Sequence, residues 1–140
     1  MKKQTGIWID SKKAVIISIV EKKHTLKTIH SSIESQERID GEVKWFTRFG
    51  NQFLNFEKRK KNRRNSEVKK FLTSIKSEIK ESDELVLFGP ASMKKELAKI
   101  IHEDSQLSPI LKGVKTADSM TDNQLVAWVK NYFAIINPSN

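Results

Sequence analysis

The chain has no cysteine, which excludes a disulfide framework, a thiolate metal site and a cysteine nucleophile, and fits a reducing compartment. It has no long apolar run either. The longest, Ala14–Val20, is broken by Ser18 and falls far short of the roughly 20 residues that span a bilayer. Met1-Lys2-Lys3-Gln4-Thr5 leads into Gly6–Asp10, which is too short for the apolar core of a signal peptide. The expectation is a cytoplasmic protein without a membrane partner. A P-loop, a Gly-x-Ser-x-Gly elbow, an internal repeat and a low-complexity tract are all missing. His24, His30 and His102 share no ligand spacing and do not form the i, i+4 pair of a zinc helix. The residues therefore point to no metal, no cofactor, no small-molecule substrate and no working catalytic centre.

What remains is a chain of 140 residues, long enough to bury one core without staples. It reads as a single α/β domain over residues 1–136 with a loose tail, 137–140, opening at Asn137-Pro138. Gly6–Asp10 and Ala14–Val20 are short β-rich runs joined through Ser11-Lys12-Lys13, and His24–Ile33 follows with partial alternation, so the three predict an antiparallel meander. Ser35–Gly50 has no period and reads as a loop. Helix is expected from about Phe53 to Lys80, where Val68, Phe71, Leu72, Ile75 and Ile79 form an amphipathic stripe. Glu84–Phe88 suits a buried central strand, and Pro90 the first turn of a helix carrying Met93, Leu97, Ile100 and Ile101. Alternation of Ile110, Lys112 and Val114 predicts a fifth strand. Thr121-Asp-Asn-Gln124 is a capping box that opens a last helix with Leu125, Trp128, Val129, Tyr132 and Phe133. The order is β-β-β-α-β-α-β-α, a five-stranded mixed sheet covered by helices in three layers.

The net charge is +9, and it is concentrated. Between Lys44 and Lys70 there are ten Lys/Arg against two Glu, a local +8. Glu57–Arg64 is almost wholly charged; if helical, it projects past the sheet as an arm. Cations there (Lys44, Arg48, Lys58, Arg59, Lys60, Lys61, Arg63, Arg64) interleave with aromatics, among them Trp45 and Phe49. Aromatic faces stack bases and cations pair phosphates, so the mixture suits RNA. The bland alternative is a solvated helix face, with the aromatics folded into the core.

The element order is that of the ribonuclease H-like fold, whose nucleases hold divalent metal with clustered carboxylates. Asp10 ends the first strand where one carboxylate would stand, but the fourth strand ends in Phe88-Gly89, which cannot ligate a metal, so Asp10 reads as a turn residue. Phe88-Gly-Pro-Ala-Ser92 leads a strand into a helix N-terminus, a general place for an anion and also an ordinary structural turn.

Three blocks carry a family resemblance over most of the chain: Gly6-Ile-Trp-Ile-Asp10 with its hairpin, Leu85-Val-Leu-Phe-Gly-Pro90 followed by Lys94-Lys-Glu-Leu97, and Lys115-Thr-Ala-Asp-Ser-Met-Thr-Asp-Asn-Gln124. The chain resembles the small bacterial translational machinery proteins, which are similar to the middle domain of archaeal and eukaryotic peptide-chain release factors and of Pelota. The resemblance implies a three-layer ribonuclease H-like (translational machinery component) fold. In release factors a Gly-Gly-Gln loop orients the water that cleaves peptidyl-tRNA. The corresponding residues here are Gly50-Asn51-Gln52, with asparagine in place of the middle glycine.

The functional expectation is a non-catalytic, ribosome-associated RNA-binding protein of translation, contacting rRNA or tRNA phosphates. Its contacts would be Lys44, Arg48, Lys58, Arg59, Lys60, Lys61, Arg63 and Arg64, with Trp45, Phe49, Gly50, Asn51 and Gln52 as possible loop contacts. The alternatives are peptidyl-tRNA release through Gln52, and a protein-interaction module whose basic arm grips an acidic partner.

Overall fold

A computed structural model describes residues 2–31 and 51–137, and for 51–63 the backbone alone. Its elements run β1 (Lys3–Ile9), β2 (Lys13–Val20), β3 (Lys23–His30), α1 (Asn51–Glu78), β4 (Glu84–Gly89), α2 (Met93–His102), β5 (Leu111–Thr116) and α3 (Asp122–Ile136). The sheet order is β3-β2-β1-β4-β5. β1, β2 and β3 form the expected antiparallel meander, while β4 lies parallel to both β1 and β5.

Strand periodicity sorts the apolar side chains into two cores. Ile7, Ile9, Ile16, Leu85 and Leu87 meet α1 and α2 on one face, through Phe71, Ile75, Leu97 and Ile101 among others. Trp8, Val15, Ile17, Val86 and Phe88 meet α3 on the other, through Leu125, Val126, Val129 and Phe133. The predicted stripe of α1 is therefore its anchor: Phe71, Leu72, Ile75 and Ile79 are buried and Val68 partly so. At about 1.5–3 kcal/mol per buried apolar side chain, these residues bind the C-terminal part of α1 firmly to the sheet. The capping box of α3 forms as read: Thr121 Oγ1 accepts from Gln124 N at 3.2 Å and Gln124 Oε1 accepts from Thr121 N at 2.9 Å.

Three expectations need correction. Pro90 lies in the turn after β4, and α2 begins only at Met93 with Ser92 as its N-cap. Proline disfavours helical geometry in the residue before it, and Gly89 takes φ 157°, far from helical, so the chain turns before it coils. The alternation of Ile110, Lys112 and Val114 does not hold, because Ile110 ends a 3-10 turn and a register shift inserts Lys112 between the pairs Leu85–Leu111 and Val86–Gly113. The bulge lets Leu111 and Val114 pack on the same core although their spacing alone would put them on opposite faces. Finally, α1 starts at Asn51, so Asn51 and Gln52 stand in its first turn and not in a loop.

One polar cluster ties the sheet to the chain's last helix. The carboxylate of Glu84, which is 6% exposed, pairs with Lys2 at 2.9 Å and accepts from Gln4 at 2.9 Å and from Asn137 at 3.1 Å. Asn137, the first residue of the expected tail, is thus held to β4. Burial pushes the Glu84 carboxyl upward, but the bonds from Gln4, Lys2 and Asn137 outweigh it and hold the group below the ordinary glutamate value.

Two predictions follow from these contacts. A depressed folded-state pKa gives stability that is present above the unfolded value and lost as pH falls through the folded one. Glu84→Gln should therefore lower stability at neutral pH by up to about 1 kcal/mol, and its deficit should close below pH ~4, when both proteins are unfolded by urea across pH. The β2–β3 turn places Glu21 and Lys22 at φ 51° and 73°, a left-handed pair that suits Asn-Gly. Glu21→Asn with Lys22→Gly should raise stability by about 1 kcal/mol in the same assay.

Candidate nucleic-acid interface

The predicted cation cluster lies on α1. Lys58, Arg59, Lys60, Lys61, Arg63 and Arg64 all fall within its 28 residues, N-terminal to the apolar anchor that starts at Val68. Arg64 is half-buried, and its side chain lines a groove of about 440 Å³ between α1 and α2, together with Lys69, Glu96, Lys99 and Glu103. This end of the cluster faces the folded body. Lys44, Trp45, Arg48, Phe49 and Gly50 lie outside the described residues.

The seam between α1 and α2 is held by charge as well as by apolar contact. Lys76 Nζ stands 3.1 Å from Asp104 Oδ2, and the bond from Lys76, with those from the backbone N–H groups of Gln106 and Leu107, draws the Asp104 carboxyl below its usual value. On the other side of α1, Lys27 of β3 meets Glu78 at 2.6 Å.

The positions weighed for catalysis have structural work to do. Asp10 Oδ1 accepts from Lys12 N at 2.8 Å and from Lys13 N at 2.9 Å, closing the β1–β2 hairpin as a turn residue. Among the described residues no group of three His, Asp or Glu side chains comes together to hold a metal. His24 and His30 sit near opposite ends of β3, and His102 ends α2. At the Phe88–Ser92 junction, a Cβ on Gly89 would stand 2.2 Å from the Ile9 carbonyl oxygen, so glycine is required by close approach of β4 to β1.

Three features have no clear signal along the chain. Lys94 is buried, 4% exposed, with its ammonium donating to the Ala91 carbonyl; its position on the inner side of α2, one residue after Met93, was the available signal. Phe88 stacks on Trp128 at 3.9 Å between ring centroids, and Trp128 on Tyr132 at 5.5 Å. The Tyr132 hydroxyl donates to the Lys112 carbonyl at 3.0 Å, and burial pushes its pKa up. A second groove, between α2 and β5, is lined by Lys94, Lys95 and Lys99 together with His102 and Glu103.

Comparison with known proteins places this architecture. No protein-family model matches the chain, and no curated protein matches it in sequence. Among solved structures, the Pelota protein of Thermoplasma acidophilum superposes with a TM-score of 0.54 at 12% identity, over 92% of this chain and 32% of that one. Pelota of Archaeoglobus fulgidus gives 0.51 at 13% identity, over 92% of this chain and 31% of that one. No helix of the described residues is long and apolar enough to cross a membrane. The chain spans about a third of the length of these Pelota proteins, and at such identity what it shares with that third is the fold.

Proposed function

We propose that this chain is a non-catalytic RNA- or ribosome-binding protein of translation, a small translational machinery protein with a ribonuclease H-like domain that presents a basic helix to rRNA or tRNA. The observation that carries the reading is the placement of charge: +8 of the net +9 falls between Lys44 and Lys70. The length of α1 supports it. Twenty-eight residues of helix extend about 42 Å, whereas strands of six to eight residues span roughly 20–27 Å. Lys58, Arg59, Lys60, Lys61 and Arg63 precede the anchor by up to ten residues, and burying unpaired cations is too costly for that segment to fold inward. Arg64, at the α1–α2 groove, is the member of the set nearest the body. The resemblance to the middle domain of release factors and Pelota, together with the fold shared with Pelota, supports a place in translation.

Release of peptidyl-tRNA is the weaker reading. Asn51 replaces the glycine that a flexible Gly-Gly-Gln loop needs, and Asn51 and Gln52 stand in the first helical turn of α1.

Six phosphate contacts make affinity fall steeply with salt, on the order of a thousandfold between 50 and 200 mM. Pelleting with ribosomes across that range should show this loss. Changing all six cations of Lys58–Arg64 to alanine should abolish most low-salt binding; binding equal to that of the unaltered protein would refute the proposal. In a peptidyl-tRNA release assay, the unaltered protein and Gln52→Ala should be equally inactive, and Gln52→Ala should keep full ribosome affinity.

A further inference from the structure

We propose that the groove between the end of α3 and the β2–β3 turn docks a short acidic segment of a protein partner, one apolar side chain with carboxylates on either side of it. The groove has a volume of about 460 Å³. Ile19 and Phe133, both buried, form its floor, and Ala134 extends the apolar lining. Gln4 and Asn137 line one end, and the exposed Lys22 and Lys130 form its rim. Ile19 and Phe133 belong to the core under α3, so the groove opens on the face of the sheet opposite α1.

The charge of the rim has one sign. No carboxylate lines the groove, and among the described residues neither Lys22 nor Lys130 forms an ion pair. Glu84, which Gln4 and Asn137 bind, is buried and already paired with Lys2. Glu21 precedes Lys22 in the turn but is not part of the lining. Lys130, Phe133, Ala134 and Asn137 recur at three- and four-residue steps, so they line one side of α3 for about 10 Å, the length of about three residues of extended chain. Lys130 stands at one end of that side. Lys22 follows the end of β2, beside the start of β1 where Gln4 and Asn137 meet, and stands at the other. In an extended segment, one side chain points to the floor while its two neighbours turn up to the rim. Carboxylates in those two places meet the two ammonium groups.

The backbone beneath the rim is strained. Glu21 and Lys22 take φ 51° and 73°, which disfavours any residue with a Cβ, and Asn-Gly would form the turn with less strain. The turn forgoes that stability and sets a long cation at the mouth of the groove. Lys130 is the one cation of α3 and lies outside its last turn, so the helix dipole does not account for it. The large apolar side chains exposed among the described residues are Ile135, at 75%, and Ile136, at 37%, and both stand in the last turn of α3 between Ala134 and Asn137. An apolar floor with exposed isoleucines beside it favours a protein segment over a nucleic-acid backbone, for which two cations give few phosphate contacts. Gln4 and Asn137 each give an amide N–H to Glu84, and their amide oxygens, which that cluster does not use, suit peptide N–H groups. The proposal does not rest on the RNA reading. With α1 on the other face, the two partners would not compete.

The test titrates an end-blocked synthetic peptide, Gly-Glu-Asp-Leu-Asp-Glu-Gly, into the full isotope-labelled chain at low salt and follows backbone amide shifts by NMR. The amides of Ile19, Lys22, Lys130 and Ala134 should move saturably. Lys130→Ala should weaken binding about threefold, the effect of one exposed charge pair. Glu21→Asn with Lys22→Gly should weaken it by about as much while stabilising the fold, so the loss is not one of folding. All three substitutions together should weaken it about tenfold. Replacing the peptide leucine by serine should also weaken binding about tenfold. Shifts confined to α1 overturn the proposal and assign the peptide to the basic helix. Unchanged affinity in the triple variant overturns it, as does equal binding by a peptide with amides in place of its carboxylates. Oligouridine that displaces the peptide from the groove amides overturns it and assigns the groove to RNA.

Discussion

Strand β4 is buried along its whole length and on both faces, and the rest of the architecture depends on that. Leu85 and Leu87 serve the core under α1 and α2, while Val86 and Phe88 serve the core under α3. A strand so placed must have neighbours on both edges and helices on both sides, because its backbone groups and both rows of side chains have no access to water. The parallel pairing with β1 and β5 then requires a crossover on each side of β4, which α1 and α2 supply. The Glu84 cluster locks the start of β4 to Lys2, Gln4 and Asn137, joining both ends of the described chain to its centre.

The same constraint divides α1. Phe71, Leu72, Ile75 and Ile79 meet the sheet, the apolar stripe they form reaches back to Val68, and the run Glu57–Arg64 N-terminal to it is almost wholly charged. Cations need water or a counter-charge, and the two neighbouring carboxylates of the α1–α2 groove, Glu96 and Glu103, face Arg64, Lys69 and Lys99. The remaining five cations of the cluster have sequence neighbours that are mostly of the same sign. Self-repulsion in such a segment destabilises the isolated helix, and a polyanion relieves it.

Much of the fold could be read from the residues because its signals are local. The stripe from Val68 to Ile79, the run Glu84–Phe88 and the Thr121–Gln124 capping box each act within a few residues, and each forms an element where expected. The errors fell where distant contacts decide. The Lys112 bulge comes from the register of β5 on β4, and the close approach of Gly89 to Ile9 of β1 fixes the turn that Pro90 already imposes before α2. The site divides in the same way. Charge density marked Lys58–Arg64, because clustering along the chain is visible in one dimension. The groove between α2 and β5, lined by Lys95, Lys99, Val114 and Thr116 among others, gathers residues from two elements that topology alone brings together, so its position was not visible along the chain.

Open α/β sheets commonly bind ligands beyond the carboxyl ends of their parallel strands. Here that crevice is filled by the protein itself. Gly89 is tucked against the Ile9 carbonyl, its own carbonyl accepts from Ala117 N at 2.9 Å, and Trp8 Nε1 reaches over to the Asp118 carbonyl at 3.2 Å. Asp10, at that end of β1, is spent on its own hairpin. With the centre of the sheet closed, the concentrated positive charge of the sequence lies elsewhere, in the run Lys58–Arg64 of α1 N-terminal to its anchor. A run of cations along a helix is the kind of feature that pairs with an extended polyanion, and such pairing requires no pocket at a sheet's centre.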